Sequence, residues 1–281
     1  MEIPIDPLLQ TQVRFKELPP VVWEKSSPAD LIPGRVEIWR FNINLYLSYI
    51  QEFYDLLESE EKTRSSRLVK EIDRLIFIGG KALLRILLGK YLKINPREVS
   101  FAYSQKKKPS LKNACNSSIH FNVSHSGPYI LIAVADEEVG IDVEYYEGAA
   151  FLKSDMDLLF SKAEVSFINN QHSPLQAYHK LWTRKEALLK GTSQGIIDGF
   201  RWVPSLNGTH AINSEVIKSC IDWSVYSFEA DKFCTASVAY TGLNKKIIFN
   251  ELIELGNIKA ISTQNLDYTV KRAINTQRNH F

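Results

Sequence analysis

The sequence predicts an α+β fold built of two halves, and three observations carry that prediction. The chain has 281 residues, longer than one average domain of roughly 150. A long helical region is followed by a series of short strands, and that order then recurs. The composition, 44% hydrophobic and 11% aromatic, is rich enough to fill a sizeable core.

From the N-terminus, Pro4, Pro7, Pro19, Pro20, Pro28 and Pro33 mark extended chain and turns. Arg35 to Leu45 alternates well enough for a strand. Residues 52–93 read as helix. At about 100° per residue, Ile72, Ile76, Leu83, Leu87 and Ile94 share one face, and Arg74, Lys81 and Arg85 form a basic stripe opposite. A solvated surface is the simpler account of that stripe and an anion-facing surface the sharper one. Gly79 and Gly80 in mid-helix cost up to ~1 kcal/mol each relative to Ala, so they imply a close approach to the helix backbone. Short strands are expected at Val99–Ser104, His120–Val123, Tyr129–Asp136 and Val139–Glu144, separated by turn residues. Residues 145–158 read as a long loop. Ser161 with Glu164 makes a capping box that starts a helix, and Pro174 to Lys190 is another, ended by Gly191. Trp223–Phe228 and Phe233–Tyr240 read as an antiparallel hairpin. The polar end, with Lys271, Arg272 and Arg278, is expected to fray. The expected halves are thus residues 1–137 and 138–250, with 251–281 an extension.

Charge is nearly balanced, 34 Lys and Arg against 32 Asp and Glu. That balance speaks against a dedicated binder of nucleic acid or anionic membrane. Residues 1–20 lack a basic start followed by an apolar run, and the most continuous apolar stretch, Tyr129–Ala135, falls far short of the ~20 residues that span a bilayer. Cys115, Cys220 and Cys234 are scattered and odd in number, without CxxC spacing, against both a disulfide framework and a zinc site. A soluble, cytoplasmic protein is expected.

Four stretches hold the residue types of a reactive site. In Gly140-Ile141-Asp142-Val143-Glu144, strand alternation projects Asp142 and Glu144 from one face. Two such carboxylates repel unless they are solvated or share a cation, and oxygen ligands suit a hard ion such as Mg²⁺. An exposed strand end with two solvated acids serves the pattern equally well. Glu186 and Lys190 lie four apart on one helix face, with Trp182 a turn back. They are either an ordinary ion pair worth ~0.3–0.5 kcal/mol or a third carboxylate beside a phosphate-binding lysine. Phe121-Asn122-Val123-Ser124-His125-Ser126-Gly127 runs a strand into a small-residue turn where a hydroxyl, a histidine and free amides could meet an anion. Lys106-Lys107-Lys108-Pro109 is most simply a solvated basic turn.

Taken in order, KKP, FNVSHSG, VGIDVE, FSKAE and WTRKEALLK resemble the 4′-phosphopantetheinyl transferases of the large, monomeric surfactin-synthetase type, over roughly the span from Glu60 to Tyr240. The pairing of GIDVE with WxxKExxxK is the most specific part. The resemblance implies a pseudo-dimer of two similar halves, each a helix packed on a small antiparallel sheet, with the active site in the cleft between them. It implies transfer of the phosphopantetheine arm of coenzyme A to a serine of an apo acyl or peptidyl carrier protein, leaving 3′,5′-ADP. The enzyme would act as a monomer, with no part for nucleic acid or membrane. Asp142, Glu144 and Glu186 match the family's metal ligands, for Mg²⁺ or alternatively Mn²⁺, and Glu186 is the candidate general base. Lys190 matches the lysine that contacts the phosphates, and Lys185 is carried over as a nearby helper in binding coenzyme A. Ser124 and His125 match the pair at the phosphate end of coenzyme A, where Asp142 also faces the ligand. Lys108 matches the lysine beside the adenine and ribose.

Two departures stand out. Lys107 replaces the usual glycine of that turn, and Ile76 replaces an arginine that helps hold the nucleotide. Contacts to the 3′-phosphate are therefore carried to Lys62, Arg64 or Arg67. Carrier docking falls on residues 145–158 and the start of the next helix, where apolar contacts from Phe151, Leu152 and Phe160 are expected. Two other classes of answer fit the same residues: a non-catalytic coenzyme A or nucleotide-binding module, and a metal-dependent phosphohydrolase.

Overall fold

The computed structural model describes residues 10–104, 106, 108–112, 118–146, 156–194, 199–252 and 255. Contacts group the chain into two compact units. The first runs to Ser26 and takes in Asp30–Asn42 and Ser100–Glu251; the second holds Ser27–Ala29 and Ile43–Val99, with Leu252.

The first unit contains β1 (Gln10–Glu17), β2 (Glu24–Ser26) and β3 (Arg35–Asn42), and the second contains α1 (Ile50–Asp55), α2 (Ser59–Ser66) and α3 (Glu71–Leu92). The chain then returns to the first unit through β4 (Phe101–Tyr103), β5 (Pro109–Leu111), β6 (His120–Ser126), β7 (Tyr129–Ala135) and β8 (Val139–Tyr145). There follow α4 (Met156–Leu159), α5 (Lys162–Asn169), α6 (Pro174–Gly191), β9 (Gly208–Asn213), α7 (Ser214–Ile217), β10 (Trp223–Asp231), β11 (Cys234–Thr241) and β12 (Lys246–Leu252).

Two five-stranded sheets result, ordered β2-β12-β3-β7-β6 and β8-β11-β10-β1-β9, beside a small β4-β5 hairpin. The duplication expected from the element order is visible in the topology. In each half a first strand (β3 or β8) is followed by helix and then by an antiparallel hairpin (β6-β7 or β10-β11). The last strand of each hairpin inserts between the other two, giving β3-β7-β6 and β8-β11-β10. The fold is therefore an α+β pseudo-dimer. The inserted strands are the most buried: all of Tyr129–Ala135 and all of Cys234–Thr241 lie inside, which explains why β7 is a continuous apolar run instead of an alternating one.

Each three-stranded core is extended in parallel by a strand from the far end of the chain, β12 beside β3 and β1 beside β10. Reading the proline-flanked N-terminal stretch as extended chain and turns leaves the strand β1 unassigned. Between Pro7 and Pro19 the segment Gln12-Val13-Arg14-Phe15 alternates, and Val13 and Phe15 are fully buried. A common core spans both sheets, from Val36, Ile38 and Leu131 to Ile141, Phe228 and Val238.

In the second unit, the single helix expected over 52–93 is three. Glu61 accepts the Glu58 backbone N–H at 3.1 Å in a capping box that opens α2, and α3 starts afresh after Lys70. Ile76, Leu83 and Leu87 are buried as expected, whereas Ile72 and Ile94 are exposed. The basic stripe is not a uniform solvated face: Arg85 is 1% exposed and its guanidinium lies 3.1 Å from Glu58 and 2.9 Å from Glu61. Among the described residues no close approach explains Gly80, where an added Cβ would meet nothing within 4 Å.

Candidate active site

The site grows from the seam where the edge strand of one sheet, β6, runs beside the edge strand of the other, β8. Side chains of β6 serve the backbone of β8 there: the Ile141 N–H donates to Asn122 Oδ1 at 2.9 Å and the Tyr145 N–H to Ser126 Oγ at 3.0 Å. Alternation along β8 turns Asp142 and Glu144 to one side, and the same alternation along β6 aims Ser124 and Ser126 at them. Ser124 Oγ donates to Asp142 Oδ1 at 2.9 Å and Ser126 Oγ to Glu144 Oε2 at 3.0 Å.

Helix α6 supplies the third wall. Ser173 caps its N-terminus, accepting the Gln176 N–H, and Pro174 occupies the first turn, where its missing N–H is harmless. Ala187, Leu188 and Leu189 anchor the helix against Trp223, Val225 and Phe200. Its contact with β8 is made possible by Gly140, because a Cβ there would run into the Ala187 carbonyl oxygen and lie 2.8 Å from Gly191 Cα. That close approach sets Glu186 and Lys190 against the acids of β8. Lys190 Nζ donates to Asp142 Oδ1 at 2.6 Å and to Ser124 Oγ at 2.9 Å.

Three carboxylates thus share one region, and their charges register it. Burial, the Asp142 charge and the Glu144 charge push Glu186 up to about 7, with Lys190 opposing. Burial and the Asp142 charge raise Glu144 against hydrogen bonds from Ser126 and the Trp182 indole. Among the described residues, Asp142 Oδ2 and Glu186 Oε1 are buried without a hydrogen-bond partner, an arrangement that costs free energy unless something positive or donating meets them. Among the described residues, no three Asp, Glu, His or Cys side chains close on a common point as a formed metal centre. The donor set still fits a hard divalent ion: all-carboxylate oxygen, with two buried oxygens to spare. The Lys190 ammonium meanwhile sits on Asp142 Oδ1.

Beside the acids lies a cleft of about 250 Å³ lined by Lys106, Lys108, Pro109, Asn122, Val123, Glu186, Lys190 and Ser193. It adjoins a second, about 280 Å³, walled by Leu111, Ile119, Phe121, His120 and Glu138 and sharing Lys108, Pro109 and Ser193. Lys108 is not a solvated turn lysine: its Nζ donates to Glu138 Oε2 at 2.7 Å and to the Gly191 carbonyl at 2.8 Å.

The structure therefore gathers Asp142, Glu144, Glu186, Lys190, Ser124 and Lys108. It does not bring Lys185 to them. That side chain is fully buried, its Nζ 3.0 Å from Glu164 Oε2 and 3.1 Å from the Leu159 carbonyl, over the rings of Phe160 and Phe200. Adjacent positions on a helix point about 100° apart, so Lys185 faces away from the groups Glu186 meets. His125 lies on the opposite face of β6 from Ser124 and is exposed. Lys62 and Arg64 belong to α2 in the second unit, Lys62 over the Tyr54 ring at 5.3 Å and Arg64 over Phe77 at 5.1 Å. Phe160 is fully buried against Tyr178 and cannot be a surface docking contact; Phe151 and Leu152 lie outside the described residues. Sequence reading missed Ser126 and Trp182 as partners of Glu144. The alternation Ser124, Ser126 opposite Asp142, Glu144 is the signal that could have found the first.

Two family models match the chain, 4′-phosphopantetheinyl transferase, N-terminal, over residues 47–137 and the 4′-phosphopantetheinyl transferase superfamily over residues 138–238. The 4′-phosphopantetheinyl transferase HetI of Nostoc sp. is 30% identical over 216 residues, covering 75% of this chain and 90% of HetI. The phosphopantetheinyl transferase of Thraustochytrium sp. is 26% identical over 182 residues, 58% of this chain and 63% of that protein. The 4′-phosphopantetheinyl transferase Sfp of Bacillus subtilis is 22% identical over 148 residues, 52% of this chain and 64% of Sfp. With the duplicated fold and the acid-lined seam in place, these matches show that the chain belongs to the 4′-phosphopantetheinyl transferase family that includes HetI and Sfp.

Proposed function

We propose that the chain transfers the 4′-phosphopantetheine arm of coenzyme A to a serine of an apo acyl or peptidyl carrier protein, releasing 3′,5′-ADP. The carrying observation is the seam itself, where Asp142, Glu144 and Glu186 stand beside Lys190 and an open cleft, two of their buried oxygens without a hydrogen-bond partner among the described residues.

In this reading the serine oxygen attacks the β-phosphorus of coenzyme A, and the bond to the α-phosphate oxygen breaks. The serine proton passes to Glu186, the one of the three acids that lines the open cleft. Lys190 meets the charge of the pyrophosphate, and Ser124 holds both Lys190 and Asp142 in register. Asp142, Glu144 and Glu186 would hold Mg²⁺ or Mn²⁺, which when bound neutralises pyrophosphate charge as a Lewis acid. Lys108 would flank the adenine and ribose. The halves 1–137 and 138–250, action as a monomer and a cytoplasmic site belong to the same reading; among the described residues no helix is long and apolar enough to cross a membrane.

Incubation with coenzyme A, Mg²⁺ and an apo carrier protein tests it. The carrier should gain the mass of one phosphopantetheine, and a carrier with its acceptor serine changed to alanine should gain none. Phosphate release without any carrier would instead mark a phosphohydrolase, and binding without transfer a non-catalytic module.

A further inference from the structure

Glu138 is absent from every motif that carries the family resemblance, yet it occupies a particular place. It sits in the tight turn between β7 and β8 and lines the larger cleft. Its Oε2 accepts from Lys108 Nζ at 2.7 Å, and its Oε1 lies 3.3 Å from His120 Nδ1. Lys108, Pro109 and Ser193 are common to the walls of both clefts, so the Lys108 stem stands where the acid-lined cleft adjoins the one that Glu138 lines. Its ammonium is held at a second point by the Gly191 carbonyl, at the end of the helix that carries Glu186 and Lys190.

We propose that Glu138 is a positioning residue for coenzyme A: with the Gly191 carbonyl it fastens Lys108 as a fixed wall of the nucleotide cleft. The proposal rests on the reading of Lys108 as a coenzyme A contact. A lysine side chain has more rotameric freedom to lose than almost any other, and that loss weakens any ligand that must impose the order itself. Two fixed acceptors impose it beforehand. His120, on β6, holds the other oxygen of the same carboxylate and keeps Glu138 aimed at the cleft.

The role separates from plain charge. The Lys108 ammonium is already taken up by Glu138 and the Gly191 carbonyl, so what the side chain offers a ligand is a held stem more than a free positive charge. If Glu138 merely masked a positive charge, its loss would tighten binding of the anionic ligand. If it fastens the wall, its loss weakens binding, and only while Lys108 is present.

Calorimetric titration of coenzyme A into the full chain, together with KM and kcat for transfer, reads this out. Glu138→Ala should weaken coenzyme A binding and raise its KM by about fivefold, with kcat within twofold and the melting temperature little changed. Glu138→Gln keeps one acceptor for Lys108 and should recover part of that loss. Lys108→Ala should weaken binding by a similar factor, and adding Glu138→Ala to it should change nothing further. Unchanged or tighter binding by Glu138→Ala overturns the proposal, as does an equal, additive loss in the Lys108→Ala background. Normal binding by Lys108→Ala overturns the reading of Lys108 and the fastening role together. A wild-type chain that binds no coenzyme A at all overturns the proposed function.

Discussion

Lys190 Nζ stands 2.6 Å from Asp142 Oδ1 and 2.9 Å from Ser124 Oγ, so one ammonium ties the last turn of α6 to both edge strands. Asp142 is 3% exposed, and a charge so placed is tolerated only with hydrogen-bonded partners. Asp142→Asn keeps the shape and removes the charge. It should lower transfer by about 10²–10³-fold, the usual cost of losing one electrostatic element of a site. The melting temperature should move little, because Ser124 can still donate to the amide oxygen. Steady-state kinetics beside circular-dichroism melts would check both halves of the expectation.

Glu186 gives the pH signature. Burial and two neighbouring carboxylates raise it from its ordinary 4.5 to about 7 in the folded chain. Between those values the folded protein binds a proton that the unfolded chain has released, so stability falls as pH rises from about 4.5 to 7 and is level beyond. Glu186→Gln removes that cost along with the base. In chelator it should melt above the wild type at pH ~8, a difference that shrinks toward zero as the pH falls to the ordinary carboxylate range. Transfer should be abolished at every pH. A variant that melts lower than the wild type at alkaline pH would mean that Glu186 is held by a partner and is not strained by its neighbours.

Alternation and turn chemistry made much of this architecture legible. β3, β6, β7, β8, β10 and β11 all follow from residues that read locally as strands, and α5 and α6 from their caps. What escaped was non-local. β1 does alternate locally, at Gln12-Val13-Arg14-Phe15, but no local pattern tells that it and β12 each take a parallel partner from the opposite end of the chain. Arg85 looked like surface because its partners Glu58 and Glu61 sit on another helix. The paired acids of β8 and the Glu186–Lys190 spacing were legible as chemistry, since period 2 on a strand and period 3.6 on a helix fix which side chains share a face. That Ser126 and Trp182 hold Glu144 depends on two sheets meeting edge to edge, which the chain shows only when folded.

Gly140 tests whether the approach of α6 to β8 is required. A methyl group there would collide with the Ala187 carbonyl and the Gly191 backbone, and neither is a flexible side-chain tip that can turn aside. Gly140→Ala must push the helix away from the strand or break its fit. Overpacking of a dense interior costs typically 1–3 kcal/mol and more where backbone meets backbone, so the expected loss is at the upper end, about 3 kcal/mol. Any folded fraction should also lose transfer activity out of proportion, because Glu186 and Lys190 move with the helix. Urea unfolding with a matched activity assay would show the two effects together.

Lys185 separates structure from catalysis next door to the base. Its ammonium and Glu164 form an ion pair at 3.0 Å in which the side chains are 0% and 3% exposed. Ser161 and Ser205 use the same carboxylate, the Ser161 N–H donating to Oε2 at 2.8 Å and Ser205 Oγ to Oε1 at 2.5 Å. Removing one member of such a pair leaves the other charge stranded, which costs about 3–5 kcal/mol, whereas neutralising both with similar volume is often close to neutral. Lys185→Met should therefore unfold at markedly lower urea, and Lys185→Met with Glu164→Gln should regain most of the loss. The double variant should transfer at close to the wild-type rate with an unchanged KM for coenzyme A, since neither side chain reaches the cleft lined by Glu186 and Lys190. A refolded double variant with a raised KM would return Lys185 to the coenzyme A site.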